Sequence, residues 1–106
     1  MESKVAMLLS ELGAGLKAIY AGRLKGVFLF GSYARGEADS ESDVDVLVVL
    51  ERIDRYGEEL QRTGPLISEL SLKYGVSVSR AFVSEGDWLS GESPFLTNVR
   101  EEAIPA

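Results

Sequence analysis

Residues 27–50 decide the fold: Val27-Phe28-Leu29-Phe30 runs directly into GSYARGEADSESDVDVLVVL, Gly31 to Leu50. Four consecutive apolar residues stopped by a glycine predict a short, central strand buried on both faces. From Asp43 the order is acid, Val, acid, Val, and then Leu47-Val48-Val49-Leu50. Alternation followed by a fully apolar run predicts a second strand that begins at a wet edge and runs inward. Upstream, Val5, Leu8, Leu9, Leu12, Leu16, Ile19 and Tyr20 recur at three- and four-residue steps. That spacing puts them on one face of a helix of about five turns, ended by Gly22. Downstream, Ile53, Tyr56, Leu60, Ile67, Leu70 and Tyr74 return to helical spacing, with Gly75 as the cap. Gly64-Pro65 interrupts that pattern and predicts a kink or a second helix with Pro65 in its first turn. Val76–Val83 reads as a third strand and Ser84–Gly91 as a loop. Ser93-Pro94 reads as the N-cap and first position of a short helix carrying Phe95, Leu96, Val99 and Ile104. The order of elements describes one α+β (mixed α/β) domain over residues 1–106, a small sheet flanked by helices, without repeats or linkers.

Composition narrows the chemistry. The chain has 106 residues, 17 acidic against 11 basic side chains, and neither cysteine nor histidine. A chain of this length supports one core. Disulfides, thiol nucleophiles, imidazole catalysis and His- or Cys-bearing zinc sites are excluded, so a metal must sit on oxygen, as magnesium, manganese or calcium do. The net charge of −6 and the scatter of the basic residues argue against direct binding of nucleic acid. No apolar stretch approaches the span of a bilayer and the N-terminus lacks a signal peptide's pattern, so a soluble, cytoplasmic domain without membrane contact is expected. Five of the acids, Glu37, Asp39, Glu41, Asp43 and Asp45, fall within nine residues that hold no base, leaving twelve acids against eleven bases elsewhere. The excess charge is therefore one patch.

Two features of that patch can carry chemistry. Gly31-Ser32 at the end of a buried strand lets a ligand approach the backbone, and the serine hydroxyl with neighbouring N–H groups can hold a phosphate oxygen. Gly-Ser pairs after strands are usually only turns. Asp43 and Asp45, two apart on a strand, share a face at about 6.5–7 Å. Their repulsion costs about 2–3 kcal/mol at an effective dielectric near 20, which a divalent cation relieves. An acid-bearing edge strand is the plain alternative, but Leu47–Leu50 marks this strand as central.

Ten residues separate Ser32 from Asp43, and with that spacing the stretch resembles the minimal nucleotidyltransferases of the DNA polymerase beta superfamily. Gly31, Ser32, Arg35, Gly36, Asp43 and Asp45 occupy motif positions, and the likeness runs loosely from the first helix through the third strand. The resemblance implies a nucleotidyltransferase fold that binds ATP or another nucleoside triphosphate between the turn and the acids. Gly31, Ser32 and Arg35 would contact the nucleotide, and Asp43 and Asp45 would be the catalytic residues holding one or two Mg2+ ions. Nucleotidyl transfer needs positioning and oxygen-bound metal more than covalent chemistry, which suits a chain without histidine or cysteine. Small members of the family are typically antitoxins encoded beside a HEPN-domain toxin, and some transfer AMP from ATP to a tyrosine of that partner.

The sequence also departs from the family. A third carboxylate is usual on the next strand, where Ser77 and Ser79 stand, and a serine is a poor magnesium ligand and no base at neutral pH. Another acid could substitute, with Glu37, Asp39, Glu41, Glu85 and Asp87 as loop candidates, or the partner or substrate could supply one. The alternative is a non-catalytic nucleotide-binding antitoxin that neutralises its partner by contact. Trp88, Phe95, Leu96 and Val99 would form its surface, unless they simply cover the sheet. Modification of a small molecule is weaker, since family members with that activity carry a second domain for the acceptor. Oligomerisation stays open.

Overall fold

The computed structural model describes residues 3–106. Helix α1 (Ser3–Tyr20) leads through a 3-10 turn, Ala21–Arg23, into β1 (Leu24–Phe30). The short helix α2 (Gly31–Arg35), β2 (Val44–Leu50), α3 (Tyr56–Tyr74) and β3 (Val78–Ser84) follow. The chain ends in α4 (Glu85–Ser90), α5 (Pro94–Glu102) and β4 (Ile104–Pro105). The sheet order is β3-β2-β1-β4, with β2 and β3 parallel and the other pairs antiparallel. A small mixed sheet flanked by helices is therefore the architecture.

Alternation along β2 divides the apolar packing between the two faces of one sheet, so the single core expected from length is split into two clusters. Val44, Val46, Val48 and Leu50 face α1 and α3, where they meet Leu8, Leu12, Leu16, Ile67 and Leu70. Leu47 and Val49 face the other way and meet Val83, Leu96 and Val99. A strand covered on both faces must be apolar throughout, which is why five consecutive valines and leucines end this one. Its side chains contribute roughly 1.5–3 kcal/mol each by burial. The same alternation carries Asp45, and Asp43 just before the strand, onto the α5 side.

Several elements differ from the sequence reading. β1 is seven residues long, and only Leu29 in it is fully buried. Its neighbour β4 spans just two residues and leaves much of that side open. α1 ends two residues before Gly22, and Ile19 is exposed on it. By length and composition Ser3–Arg23 could cross a membrane, contrary to the expectation that no stretch approaches that span, although Val5, Leu8, Leu9, Leu12, Leu16 and Tyr20 on it are core residues.

Pro65 does not divide the fourth element: α3 is one helix with the proline inside. The turn ahead of it is held from β3, where Arg80 donates to the Leu60 carbonyl and to Thr63 Oγ1, both at 2.7 Å. These bonds offset the one that proline removes. Tertiary contact also ties α3 to α1. Buried Glu59 accepts from Tyr20 Oη at 2.9 Å, Arg62 Nη1 at 2.9 Å and Arg23 Nη2 at 3.1 Å.

The expected loop after β3 is helix α4, capped by the Ser84 hydroxyl accepting from Asp87 N–H. Ser93 caps α5 as expected, accepting from Leu96 N–H at 3.2 Å. Leu96 and Val99 are buried against the sheet and Trp88 packs on Phe28, with ring centroids 4.8 Å apart. Most of the apolar C-terminal surface thus covers the sheet. Phe95 stays half-exposed at 48% and meets Phe30 edge-on.

Candidate functional site

Phe30 is paired with Asp45 across the antiparallel β1–β2 ladder, so the residue after Phe30 turns over the aspartate. That residue is Gly31, at φ +75°. Two constraints require glycine: the left-handed backbone, and the lack of space, since a Cβ there would run into the Asp45 carboxylate. The Gly-Ser turn and the acidic strand are thus one unit. Asp43 is exposed just outside β2, Asp45 is half-buried, and both project to one face.

Electrostatics show what the pair lacks. Burial pushes the Asp45 carboxyl above its ordinary range, the Asp43 charge pushes it further, Arg35 opposes, and Glu102 adds to the rise. A half-buried carboxylate beside another carboxylate is relieved by a cation. Among the described residues no group of three or more metal-ligating side chains converges. Magnesium, however, commonly takes one or two carboxylates and completes its shell with water and substrate phosphates. Asp43 and Asp45 fit that role.

Arg35, at the end of α2, donates through Nε to Glu37 at 3.1 Å and through Nη1 to Glu102 at 2.8 Å. Glu102 Oε1 also accepts the Gly31 N–H at 3.2 Å. Its carboxyl is held below the usual range by Arg35 first and Gly31 second, against a burial cost. The turn therefore binds carboxylate oxygens in this structure. Of the residues proposed for the nucleotide, Gly31 and Arg35 converge on one anion, with Ser32 next to them in the chain.

Ser77 and Ser79 are the residues that β3 and the turn before it bring beside the start of β2. Ser79 lies opposite Asp45 in the parallel β2–β3 register, and the Ser77 carbonyl accepts the Val44 N–H at 2.9 Å. Both serines are exposed. The loop candidates do not replace the acid. Glu37 is on Arg35, and Asp39 accepts from Glu41 N–H at 2.8 Å within its own turn. Glu41 is exposed in that loop. Glu85 and Asp87 open α4 beyond Ser84, which pairs with Leu50 at the opposite end of β2 from Asp45. The acid that reaches the turn is Glu102, which sequence reasoning missed. It is placed by β4, whose Ile104 pairs with Leu29 and so returns the end of α5 to the Phe30–Gly31 corner. A two-residue strand has no periodicity to read. An open groove of about 460 Å3 between α1 and β4 is lined, among the described residues, by small and apolar ones, including Ala6, Leu9, Gly13 and Pro105.

Comparison with known proteins follows the same lines. The nucleotidyltransferase domain family matches residues 9–102. "Putative protein adenylyltransferase MJ0604" of Methanocaldococcus jannaschii is 40% identical over 78 residues, 73% of this chain and 71% of that protein. A solved structure described as "Structure of putative minimal nucleotidyltransferase" is 33% identical with a TM-score of 0.58, covering 95% of this chain and 94% of the other. Another, "Crystal structure of the toxin-antitoxin with AMP-PNP", has a TM-score of 0.58 at 20% identity, covering 89% and 68%. The last likeness concerns the fold.

Proposed function

The chain belongs to the nucleotidyltransferase domain family and is an enzyme of that class, and from that premise we propose that it transfers AMP from ATP to a tyrosine hydroxyl of a HEPN-domain partner toxin, as the cytoplasmic antitoxin of the pair. The single observation that carries the site assignment is the fit of Gly31 over Asp45, which joins an anion-binding turn to a carboxylate pair in need of a cation. Gly31 N–H, Ser32 and Arg35 would hold the triphosphate, and Asp43 and Asp45 would hold magnesium. Support for AMP comes from the name of the 40% identical relative, and support for a toxin partner from the shared fold of the toxin–antitoxin structure.

The acceptor oxygen attacks the α-phosphorus, and the new P–O bond forms as the bond to the β-phosphate's bridging oxygen breaks. Pyrophosphate leaves and the hydroxyl proton passes to water, because Ser79 offers no base. Asp43 and Asp45 would hold magnesium, which when bound would supply neutralisation of charge on the phosphates and the leaving group. The chain's own part is positioning: Arg35 and the turn fix the phosphates, and the aspartates set where the metal sits.

The test incubates the protein and its neighbouring-gene partner with labelled ATP and Mg2+. Label should move to the partner and be abolished by Asp43→Asn or Asp45→Asn. Failure to transfer any of the four nucleotides to an authentic partner would refute the reading. Nucleotide binding should also depend steeply on magnesium, since five acids crowd the approach, and tight binding in chelator would count against it. A contact-only antitoxin is the second reading, favoured by Ser79 standing opposite Asp45. It predicts that Asp43→Ala/Asp45→Ala protein still neutralises the partner.

A further inference from the structure

We propose that Glu102 is a built-in occupant of the phosphate site, a carboxylate that must be displaced before a nucleoside triphosphate can bind. The inference rests on the nucleotide-binding role assigned above to Gly31 and Arg35, and concerns what holds those donors when nucleotide is absent.

Both oxygens of the Glu102 carboxylate are engaged. Oε1 takes the Gly31 N–H at 3.2 Å and Oε2 takes Arg35 Nη1 at 2.8 Å. These are the main-chain and guanidinium donors of the turn, arranged on one anion as two oxygens of a phosphate would meet them. The side chain is only 22% exposed, against 44% for Arg35 and 66% for Glu37, Arg35's other partner. Its backbone is anchored on both sides. The Ala103 N–H closes α5 onto the Val99 carbonyl at 2.8 Å, and β4 pairs with β1. Occupancy is therefore set by the fold, while release needs only rotation of one side chain.

The position is unfavourable in one respect. Asp45 carries like charge within reach of Glu102, and Glu102 stays because two donors outweigh that repulsion. A magnesium-loaded triphosphate reverses the balance: the cation satisfies the aspartates, and the triphosphate brings several anionic oxygens to donors that Glu102 meets with only two. Exchange is then selective for a nucleotide that arrives with its metal. The occupied fraction lowers apparent affinity in proportion. For a partly exposed ion pair reinforced by one main-chain bond, the penalty is about three- to tenfold.

Calorimetric titration with Mg2+ and AMP-PNP tests this on the wild-type chain, Glu102→Ala, Glu102→Gln and Glu101→Gln. Glu101 is an exposed neighbour, so its variant controls for loss of one negative charge. Both Glu102 variants should bind about three- to tenfold tighter, and Glu101→Gln should bind as wild type. Glu102→Gln preserves side-chain volume and serves if the alanine variant is poorly folded. Unchanged or weaker binding in the Glu102 variants overturns the occupancy, as does equal tightening in Glu101→Gln. If wild type binds and the Glu102 variants bind no tighter, the occupancy alone is refuted. If neither wild type nor variants bind nucleotide, the site assignment falls and takes the occupancy with it.

Discussion

Replacing Gly31 with alanine separates two costs that the structure keeps distinct elsewhere. At φ +75° an alanine carries a backbone penalty of about 1–2 kcal/mol. Its Cβ also meets Asp45 directly, 3.1 Å from Cγ and 3.3 Å from Cβ as well as on the carboxylate oxygen. Asp45 cannot retreat as a whole, because its backbone lies in the central strand with partners on β1 and β3. The carboxylate must rotate off its preferred rotamer or the turn must lift, at about a further 1–2 kcal/mol. The total is about 2–4 kcal/mol. Gly36 is the internal control: its φ is +73°, yet among the described residues nothing lies within 4 Å of where a Cβ would stand. Gly36→Ala should therefore lose about 1–2 kcal/mol by the backbone term alone. Urea unfolding followed by circular dichroism reads both, and Gly31→Ala should unfold at clearly lower denaturant with the same m-value. Calorimetry should show magnesium-dependent AMP-PNP binding weakened about tenfold or more in Gly31→Ala, or about 1.4 kcal/mol, and preserved in Gly36→Ala. Equal stability losses in the two variants, or intact nucleotide binding in Gly31→Ala, would refute the coupling of turn to aspartate.

Asp45→Asn should raise the melting temperature in chelator, because it removes a carboxylate that burial and Asp43 disfavour; the gain is about 0.5 kcal/mol after solvent screening. Adding Mg2+ should stabilise wild type and leave this variant unchanged, since only a native state with a site gains from the ligand. Glu59→Gln should destabilise by about 1–3 kcal/mol at pH 7, because buried Tyr20 and the half-exposed Arg23 and Arg62 lose a charged acceptor. Burial opposes ionisation of Glu59, but hydrogen bonds from Tyr20 and Arg23 outweigh it and hold the carboxyl below its usual range. Its stabilisation is thus present above the unfolded value of about 4.3 and lost as pH falls through the folded one. Urea titrations at neutral and strongly acid pH should accordingly show the gap between wild type and Glu59→Gln closing in acid. Ser93→Ala removes the α5 cap and should cost about 1 kcal/mol, read as a lower denaturation midpoint.

The mixed sheet was readable wherever one periodicity ran long enough to exclude the other. Val44–Leu50 alternates and then saturates because the strand is central, and the apolar face of α1 repeats through five turns. Reading failed where tertiary contacts decide. Pro65 breaks an isolated helix, but Arg80 reaches across from β3 to hold the turn before it. α4 has six residues and two serines and a glycine among its neighbours, so its only local mark was Ser84 three residues ahead of Asp87. That mark is shared with many turns. The apolar C-terminal residues could be read as surface or as cover, and the difference lies in Leu47, Val49 and Val83 waiting on the far face of the sheet.

The candidate site divides along the same line. Asp43, Asp45, Gly31 and Ser32 lie within fifteen residues, and strand geometry alone sets both acids on one face. Even the fit of Gly31 against Asp45 follows once β1 and β2 are taken as a hairpin-like pair. Glu102 is sixty-seven residues from Arg35 and seventy-one from Gly31, and it reaches them only because α5 crosses the second face and β4 turns back beside β1. No spacing rule connects those positions. Of the acids near the motif, which composition makes conspicuous, Glu37 pairs with Arg35, while Asp39 and Glu41 are spent on a local turn or on solvent. A chain that must keep an anion site free of stray anions, yet open to one that brings its own cation, gains more from a carboxylate delivered by the fold than from one tethered in the loop. Glu37, an exposed loop acid, holds Arg35 Nε alone, whereas Glu102 on an anchored helix end occupies a main-chain and a guanidinium donor at once.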